Sequence, residues 1–341
     1  MTEKPTALRP GATIGIFTPS APAHVKFRAK YQHGLEVLRS RGFTVVEGDL
    51  TASQRHEGYR SGSPRERAAE FMDLYRRKDV DALMSTIGGM NSASLIPYLD
   101  FDEIRATPKI VCGYSDVTSL HLAILAFSGL RTFYGPALVP SFGEWPEILP
   151  ETFASFHSAV TNPFPRELTP PDRWSRHLRD ASTEEWRTLP REFQRNEGWR
   201  VLSHGVAEAP LVIANLNTLL AAAGTPYFPA LEGTILFVEQ MRAGLSQEER
   251  LFRQLERMGV LEVIRGLVVG KPEIYDPEGA PFDYDGLVQE IVGERPYPVV
   301  TGFDCSHTSP MLTLAEHTQI RIDARTSRAR FTLLEPMVSS A

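Results

Sequence analysis

Short apolar stretches alternate with amphipathic ones along residues 1–135 of the chain. Apolar, β-branched runs predict buried strands, and apolar side chains that recur every three or four residues predict helices packed on them. The predicted strands are 13–17, 44–46, 80–85, 109–112 and 132–134, and the predicted helices are 26–40, 64–77 and 116–127. This alternation is typical of a parallel sheet with helices on both faces. We therefore predict an N-terminal α/β domain, of the flavodoxin or Rossmann type, over residues 1–160.

A second α/β pattern begins near Leu211 and ends differently from the first. Strands are predicted at 234–240, 266–270 and 298–303, with helices at 246–258 and 283–292. Ser246 and Glu249 have the spacing of a capping box for the first of these helices. The segments 318–323 and 330–334 alternate like two antiparallel strands. We predict a mixed α/β C-terminal domain with a β-rich end over residues 206–341.

Residues 161–205 have no sustained periodicity and are rich in proline, arginine and acidic side chains. Three of the four tryptophans of the chain, Trp174, Trp186 and Trp199, lie in this segment. Long irregular loops are uncommon in compact domains unless they are functional or disordered, and large aromatic side chains argue against disorder. Tryptophan can stack on a base or a substrate ring, and arginine can pair with phosphate or carboxylate. The segment is thus predicted to be a linker and substrate loop, unless its tryptophans only anchor it to the protein body.

Composition restricts the class of partner. The formal charge of −6 and the pI near 5.9 argue against a nucleic-acid polymer, which normally meets a basic surface. No run approaches the roughly 18 to 20 apolar residues of a membrane span, and the polar start of the chain has no apolar signal region. We therefore expect a cytoplasmic protein and no membrane partner. Cys112 and Cys305 are expected to be buried free thiols, and we expect neither a metal site nor a cofactor.

Ser115 stands where the apolar run 109–114 changes into the amphipathic run 116–125. A serine on a tight turn from strand to helix is presented as a nucleophile, and Gly113 gives the backbone room for that turn. The alternative interpretation is a helix N-cap, a common place for serine. Gly88 and Gly89 follow another predicted strand, where their amides can face an oxyanion or simply form a turn.

A nucleophilic serine needs a base, and the base needs an orienting carboxylate. Glu239 and His307 each follow an apolar strand, at the edge of the sheet where active-site groups project. Spacing alone leaves other candidates for the base: His121, His157, His204 and His317.

Over nearly its whole length the chain resembles the LD-carboxypeptidases and microcin C immunity peptidases, serine peptidases with a Ser-Glu-His triad. The segments that carry the resemblance are 87–92, 108–118, 134–136, 215–219, 236–239 and 307–310. The resemblance implies that Ser115 is the nucleophile, Glu239 the orienting carboxylate and His307 the base. With these roles, the oxyanion hole is formed by the amide of Asp116 and by the amide of Gly88 or Gly89. Of the two glycines we select Gly89. A homodimer is implied by the resemblance only.

Within that family the chain is more similar to the microcin C immunity branch, because of segments 196–199 and 224–229. This branch implies hydrolysis of the acyl (amide) link of a peptidyl- or aminoacyl-nucleotide such as processed microcin C. Trp174, Trp186 and Trp199 would clamp the nucleotide, and Asn217 is a further candidate ligand. The main alternative is a murein tetrapeptide carboxypeptidase in which Arg242 binds the terminal carboxylate. A nucleotide-binding module without catalysis is the third possibility.

Overall fold

The N-terminal part contains a parallel sheet in a computed structural model that describes residues 2–340. Its first five strands are β1 (Thr13–Phe17), β2 (Thr44–Glu47), β3 (Ala82–Ser85), β4 (Ile110–Gly113) and β5 (Phe133–Tyr134). They lie in the order β2-β1-β3-β4-β5 and every neighbouring pair is parallel. This order is that of the flavodoxin-like fold, in which ligands bind outside the carboxyl ends of the strands. The predicted α/β N-terminal fold is therefore confirmed.

Helices pack on both faces of this sheet. They are α1 (Ala23–Lys26), α2 (Arg28–Ser40), α3 (Asp49–Ala52), α4 (Pro64–Arg76), α5 (Phe101–Ala106), α6 (Thr118–Ser128) and α7 (Pro150–Thr161). The start of α4 shows how the sequence fixes such a helix. Ser63 accepts a hydrogen bond from the Glu66 amide while the Glu66 carboxylate accepts one from the Ser63 amide, which satisfies two otherwise unpaired donors. One turn further on, Phe71 buries its ring edge-to-face against Phe17 of β1.

The segment after α7 is built from short elements and leads into the C-terminal part. Its elements are β6 (Arg166–Leu168), β7 (Arg173–Trp174), α8 (Glu185–Thr188), β8 (Gln194–Arg195) and β9 (Arg200–Ser203). The helices that follow are α9 (Leu216–Ala221), α10 (Leu245–Arg257), α11 (Val260–Val263) and α12 (Tyr284–Val292). The strands that follow are β10 (Gly205–Asn215), β11 (Ile235–Glu239), β12 (Arg242–Gly244), β13 (Gly266–Gly270), β14 (Ile274–Asp276), β15 (Val299–Phe303), β16 (Leu314–Ala315), β17 (Gln319–Ala324) and β18 (Arg330–Leu333).

A second, eight-stranded sheet runs in the order β6-β18-β17-β10-β11-β13-β15-β9. Strands β10, β11, β13 and β15 are mutually parallel, whereas the strands at both ends are antiparallel to their neighbours. The mixed C-terminal fold with a β-rich end is thus confirmed. Both ends of the segment predicted as an irregular loop, β6 and β9, form the edges of this sheet.

The chain returns to the first sheet near its end. Strand β16 pairs antiparallel with β5, so that Leu314 lies opposite Tyr134, and it forms the sixth strand of the N-terminal sheet. This return brings the segment that carries His307 to the carboxyl ends of β4 and β5.

The predicted cap of α10 is wrong. The helix begins at Leu245 after Gly244, and Ser246 lies inside its first turn. The Ser246 amide instead donates a 2.6 Å hydrogen bond to the Glu278 carboxylate, which comes from a distant loop and supplies the acceptor that a capping side chain would have provided.

Cys112 and Cys305 are buried and unpaired, as predicted. Among residues 2–340 no helix combines the length and the apolar character needed to cross a bilayer.

Candidate active site

Ser115 lies on a strained turn between β4 and α6. Its backbone has φ of +64°, in the left-handed region that costs a non-glycine residue roughly 1–2 kcal/mol. A Cβ atom added to Gly113 would lie 2.5 Å from Ser85 Oγ, so only glycine fits before the turn. Helix α6 begins after Val117 without a side-chain cap, and Ser115 Oγ has no hydrogen-bond partner among residues 2–340. The N-cap interpretation is therefore wrong, and the hydroxyl is free.

The glycine loop after β3 lies directly beside this serine. A Cβ atom added to Gly88 would lie 3.0 Å from Ser115 Cβ and 3.2 Å from both Ser115 Oγ and the Asp116 nitrogen. The Asp116 carboxylate accepts hydrogen bonds of 2.9 Å from the amides of Asn91 and Ser92, which fixes the loop against the turn. Within residues 2–340, the amides of Gly89 and Asp116 donate no hydrogen bond. The unused Asp116 amide thus lies beside a free hydroxyl, and the unused Gly89 amide belongs to the loop packed against it.

Glu239, the last residue of β11, and His307, on the loop after β15, form a buried hydrogen-bonded pair. His307 Nδ1 lies 2.6 Å from Glu239 Oε2, and the two side chains are 8% and 0% exposed. Tyr134 Oη donates a 2.6 Å hydrogen bond to Glu239 Oε1, and Asn215 Nδ2 donates one of 3.1 Å to the same oxygen. Tyr134 Oη also accepts a hydrogen bond of 3.0 Å from the Ser115 amide. One phenol therefore connects the serine turn to the carboxylate.

The pair shifts both pKa values toward the charged forms. Burial by itself raises the pKa of Glu239, but the charge and hydrogen bond of His307, with the bonds from Tyr134 and Asn215, hold it below its ordinary value. Burial by itself lowers the pKa of His307, but the charge and hydrogen bond of Glu239 raise it above 6.5. Since Nδ1 faces the carboxylate, Nε2 is the ring nitrogen left to exchange a proton.

Ser115 and His307 line the same cavity, which has a volume of about 550 Å³. No hydrogen bond joins Ser115 Oγ to His307 in the described chain, and such bonds are often long before substrate binds. Gly88, Gly89 and Tyr114 line the same cavity.

None of the four competing histidines lines this cavity. His121 is buried behind the turn, where its Nε2 lies 3.0 Å from the Gly113 carbonyl oxygen, and burial lowers its pKa to about 4. Within the described residues, His307 is thus the histidine that lines the cavity with Ser115.

The predicted substrate ligands do not line the cavity. Trp199 is 1% exposed, stacks on Phe303 and donates its indole N–H to Asp304, so no ring face is left for a ligand and its predicted contact is wrong. Trp186, 3% exposed, packs against His33 and Trp145. Both side chains have the anchoring role that the sequence left open.

The other predicted ligands have more exposed positions. Trp174 is half-buried with the Lys271 ammonium 5.2 Å from its ring centre, and the next residue, Ser175, pairs with Ser309 of the His307 loop. Asn217 and Arg242 are exposed outside the cavity.

Sequence reasoning missed Asn215 and Tyr134. Asn215 ends β10 directly opposite Glu239 at the end of the neighbouring parallel strand. A polar residue closing a strand beside a candidate acid was a usable signal for Asn215. Tyr134 closes the predicted strand 132–134, but no candidate acid lies on a neighbouring strand, because its contact with Glu239 joins the two sheets.

Comparisons with known proteins agree over both halves of the chain. Residues 14–135 match the LD-carboxypeptidase N-terminal domain and residues 208–322 match the LD-carboxypeptidase C-terminal domain. The microcin C7 self-immunity protein MccF of Escherichia coli is 40% identical over 317 residues, covering 92% of this chain and 91% of that protein. A probable murein peptide carboxypeptidase of Bacillus subtilis is 30% identical over 313 residues, covering 91% and 88%.

Solved structures give the same result. The microcin C7 self-immunity protein MccF in complex with aspartyl sulfamoyl adenosine superposes with a TM-score of 0.92 at 37% identity, over 99% of this chain and 100% of that one. MccF in complex with glutamyl sulfamoyl guanosine gives a TM-score of 0.93 at 37% identity, over 98% and 99%. The chain therefore belongs to the LD-carboxypeptidase family of serine peptidases, in its microcin C immunity branch, and is a hydrolase of carboxypeptidase type.

Proposed function

We propose that this hydrolase cleaves the acyl (amide) link of aminoacyl- or peptidyl-nucleotides, with Ser115 as nucleophile, His307 as base and Glu239 as orienting carboxylate. The observation that carries the proposal is a strained serine with a free hydroxyl in the same cavity as a histidine paired to a buried carboxylate. The substrate class is supported by the aspartyl and glutamyl nucleoside analogues bound by MccF.

In the proposed mechanism, Ser115 Oγ attacks the acyl carbonyl carbon while its proton passes to His307 Nε2. The imidazolium that forms is stabilised by Glu239, consistent with the raised pKa of His307 and the lowered pKa of Glu239. When the bond between the acyl carbon and nitrogen breaks, the proton moves from His307 to the leaving nitrogen. Water then attacks the acyl-enzyme, loses its proton through the same histidine, and releases the acid and free Ser115.

The negative charge on the carbonyl oxygen is proposed to be held by the amides of Asp116 and Gly89. Both donors are unused in the described residues, and the Asp116 carboxylate keeps the glycine loop beside the turn. Because a positive φ at Ser115 is already built into the fold, these donors need little rearrangement when the substrate binds.

The test measures product masses after the wild-type protein and Ser115→Ala are mixed with aspartyl sulfamoyl adenosine, with an L,D-tetrapeptide in parallel. We expect aspartate to be released by the wild type only, with turnover in the variant lower by at least about 10⁴-fold, because a triad acts as one unit.

Three other outcomes would contradict the proposal in different ways. Release of D-alanine from the tetrapeptide alone would assign murein trimming. Nucleotide binding without turnover by the wild type would assign a binding module. Equal turnover by Ser115→Ala would exclude Ser115 as the nucleophile.

A further inference from the structure

Lys30 is a buried cation that the proposed chemistry does not use. It lies on α2, is 7% exposed and lines the same cavity as Ser115. Its aliphatic stem packs closely on Gly143, where an added Cβ atom would lie 2.7 Å from Lys30 Cγ. Within residues 2–340 its ammonium group has neither a hydrogen-bond partner nor an ion-pair partner. Buried lysines are rare unless they are paired. The expected partner of this charge is therefore an anion that is not part of the chain.

The cations beside Lys30 are already committed. Arg191 forms a two-pronged contact with Glu144, with Nε at 3.2 Å and Nη2 at 2.8 Å from the carboxylate oxygens. Arg179 also pairs with Glu144 and donates a 2.9 Å hydrogen bond to the Leu189 carbonyl oxygen. Burial by itself raises the pKa of Glu144, but these cations hold it below its ordinary value, so the carboxylate stays ionised. Among residues 2–340, Arg179 keeps one unpaired donor, the buried Nε, whereas Lys30 is the cation of the three whose whole charged group has no partner.

The charged groups around Lys30 are of both signs. Lys30, Arg179 and Arg191 lie beside the ionised carboxylate of Glu144, and Asp180 and Glu185 also line the cavity. Glu273, which also lines the cavity, has a raised pKa because of its burial. The charges that act on Lys30 are two carboxylates, Glu144 and Glu273, and two guanidinium groups, Arg179 and Arg191, so with Glu273 ionised they cancel and leave the ammonium charge uncompensated.

We propose that Lys30 binds an anionic oxygen of the substrate, either a carboxylate on the acyl side chain or the charged group that links acyl and nucleoside. This inference rests on the proposed function, since the anion belongs to a substrate whose carbonyl lies at Ser115. Arg179, Arg191 and Glu144 position the subsite, while Lys30 makes the contact. Lys30 is therefore a specificity-determining residue of this cavity.

The experiment measures dissociation constants by calorimetry in the Ser115→Ala background, so that it does not depend on turnover. Aspartyl sulfamoyl adenosine and its asparaginyl counterpart differ only in the side-chain charge, and AMP and adenosine differ only in the phosphate. Each is measured with Lys30 intact, with Lys30→Met and with Lys26→Met. Lys26 is a matched control because it is an exposed lysine on the neighbouring helix α1.

Lys30→Met is expected to weaken one charged ligand by about 10- to 100-fold, the range of a charge-assisted hydrogen bond, and its uncharged counterpart by less than about threefold. Loss of aspartyl over asparaginyl preference identifies the side-chain carboxylate as the partner. Loss of AMP over adenosine preference, with both aminoacyl compounds weakened equally, identifies the linking group. Lys26→Met should leave all four constants within about twofold.

The pH dependence gives a second readout. Burial lowers the pKa of Lys30 to about 8, opposed by Glu144 and Glu273 and assisted by Arg179 and Arg191. In the protein with Lys30 intact, the charged ligand should thus lose its advantage in affinity between pH 7 and pH 9. In Lys30→Met, which lacks that advantage, the ratio of the two dissociation constants should not change over the same range.

Two results would overturn the inference: four dissociation constants that Lys30→Met leaves unchanged, or equal weakening of all four ligands, adenosine included. A folding defect is detected separately by thermal unfolding. Lys30→Met should be no less stable than the protein with Lys30 intact, because the substitution removes a desolvated charge and changes the length of the side chain little. Failure of the proposed function has a different signature, namely wild-type protein that cleaves no aminoacyl nucleotide.

Discussion

Gly88→Ala tests the oxyanion geometry with a single methyl group. The added Cβ would lie 3.0 Å from Ser115 Cβ and 3.2 Å from the Asp116 nitrogen. Ordinary carbon contacts are about 3.5–4.0 Å, so the serine must move by several tenths of an ångström or the methyl must remain in the space between hydroxyl and amide. An oxyanion has to approach within about 3 Å of its donor, and the methyl stands in that approach.

The expected result is a decrease in kcat of about 100- to 1000-fold, equivalent to losing one oxyanion donor. The backbone of Gly88 does not have a positive φ, so alanine imposes steric strain alone, expected to lower the free energy of unfolding by about 1–3 kcal/mol. The assay is hydrolysis of aspartyl sulfamoyl adenosine, with thermal unfolding measured on the same samples.

Gly266→Ala is the matched control for crowding away from the cavity. Its added Cβ would lie 3.2 Å from Ile235 Cγ1 in the second sheet. This variant should lose a similar amount of stability and keep its kcat. The reasoning is refuted if Gly88→Ala retains more than about a third of wild-type kcat, or if Gly266→Ala loses as much activity as Gly88→Ala.

Two further variants test the acid–base pair and the corrected tryptophan. Glu239→Gln should lower kcat by at least about 100-fold. In the wild type, kcat/KM should fall as the pH falls through the raised pKa of His307, above 6.5, since the base must be neutral. In Glu239→Gln this acid limb of the pH profile should move to lower pH, because the burial of His307 remains and the carboxylate charge that raised its pKa is gone. An unmoved limb would contradict this pairing. Trp199→Phe should lower the free energy of unfolding by about 1–3 kcal/mol, because the hydrogen bond to Asp304 is lost. Calorimetry should give an unchanged dissociation constant for AMP. Weaker AMP binding with unchanged stability would instead assign Trp199 a role as a ligand.

Much of the fold was predictable because its central strands are buried on both faces. The run Gly266–Gly270 was predicted and observed with the same bounds, since an uninterrupted apolar run next to helical segments has few other interpretations. The positions of Ser115, Glu239 and His307 after three such strands were predictable for a related reason. Carboxyl ends of parallel strands share one edge of a sheet, which brings Glu239 and His307 together. Ser115 follows β4 of the other sheet, and no local pattern shows that the two edges meet.

Contacts between distant segments could not be predicted in this way. Glu278 replaces the expected cap of α10, and it reaches Ser246 from another loop. The two residues of β16 are too few to show any period, and Lys30 looks in sequence like an exposed helical lysine. In each case the deciding neighbour is far away in the chain, and local patterns contain no information about it.

Because β16 returns to the first sheet, the candidate active site is complete only when nearly the whole chain has been synthesised. Leu314 pairs with Tyr134, a separation of 180 residues along the chain (314 minus 134), and His307 precedes Leu314 by only seven (314 minus 307). A product of interrupted translation that stops before His307 has the serine turn but lacks the histidine. It also leaves the edge of β5 open to pairing with other chains. With the proposed triad, a fragment that ends before His307 has no base for Ser115, and we expect it to be inactive.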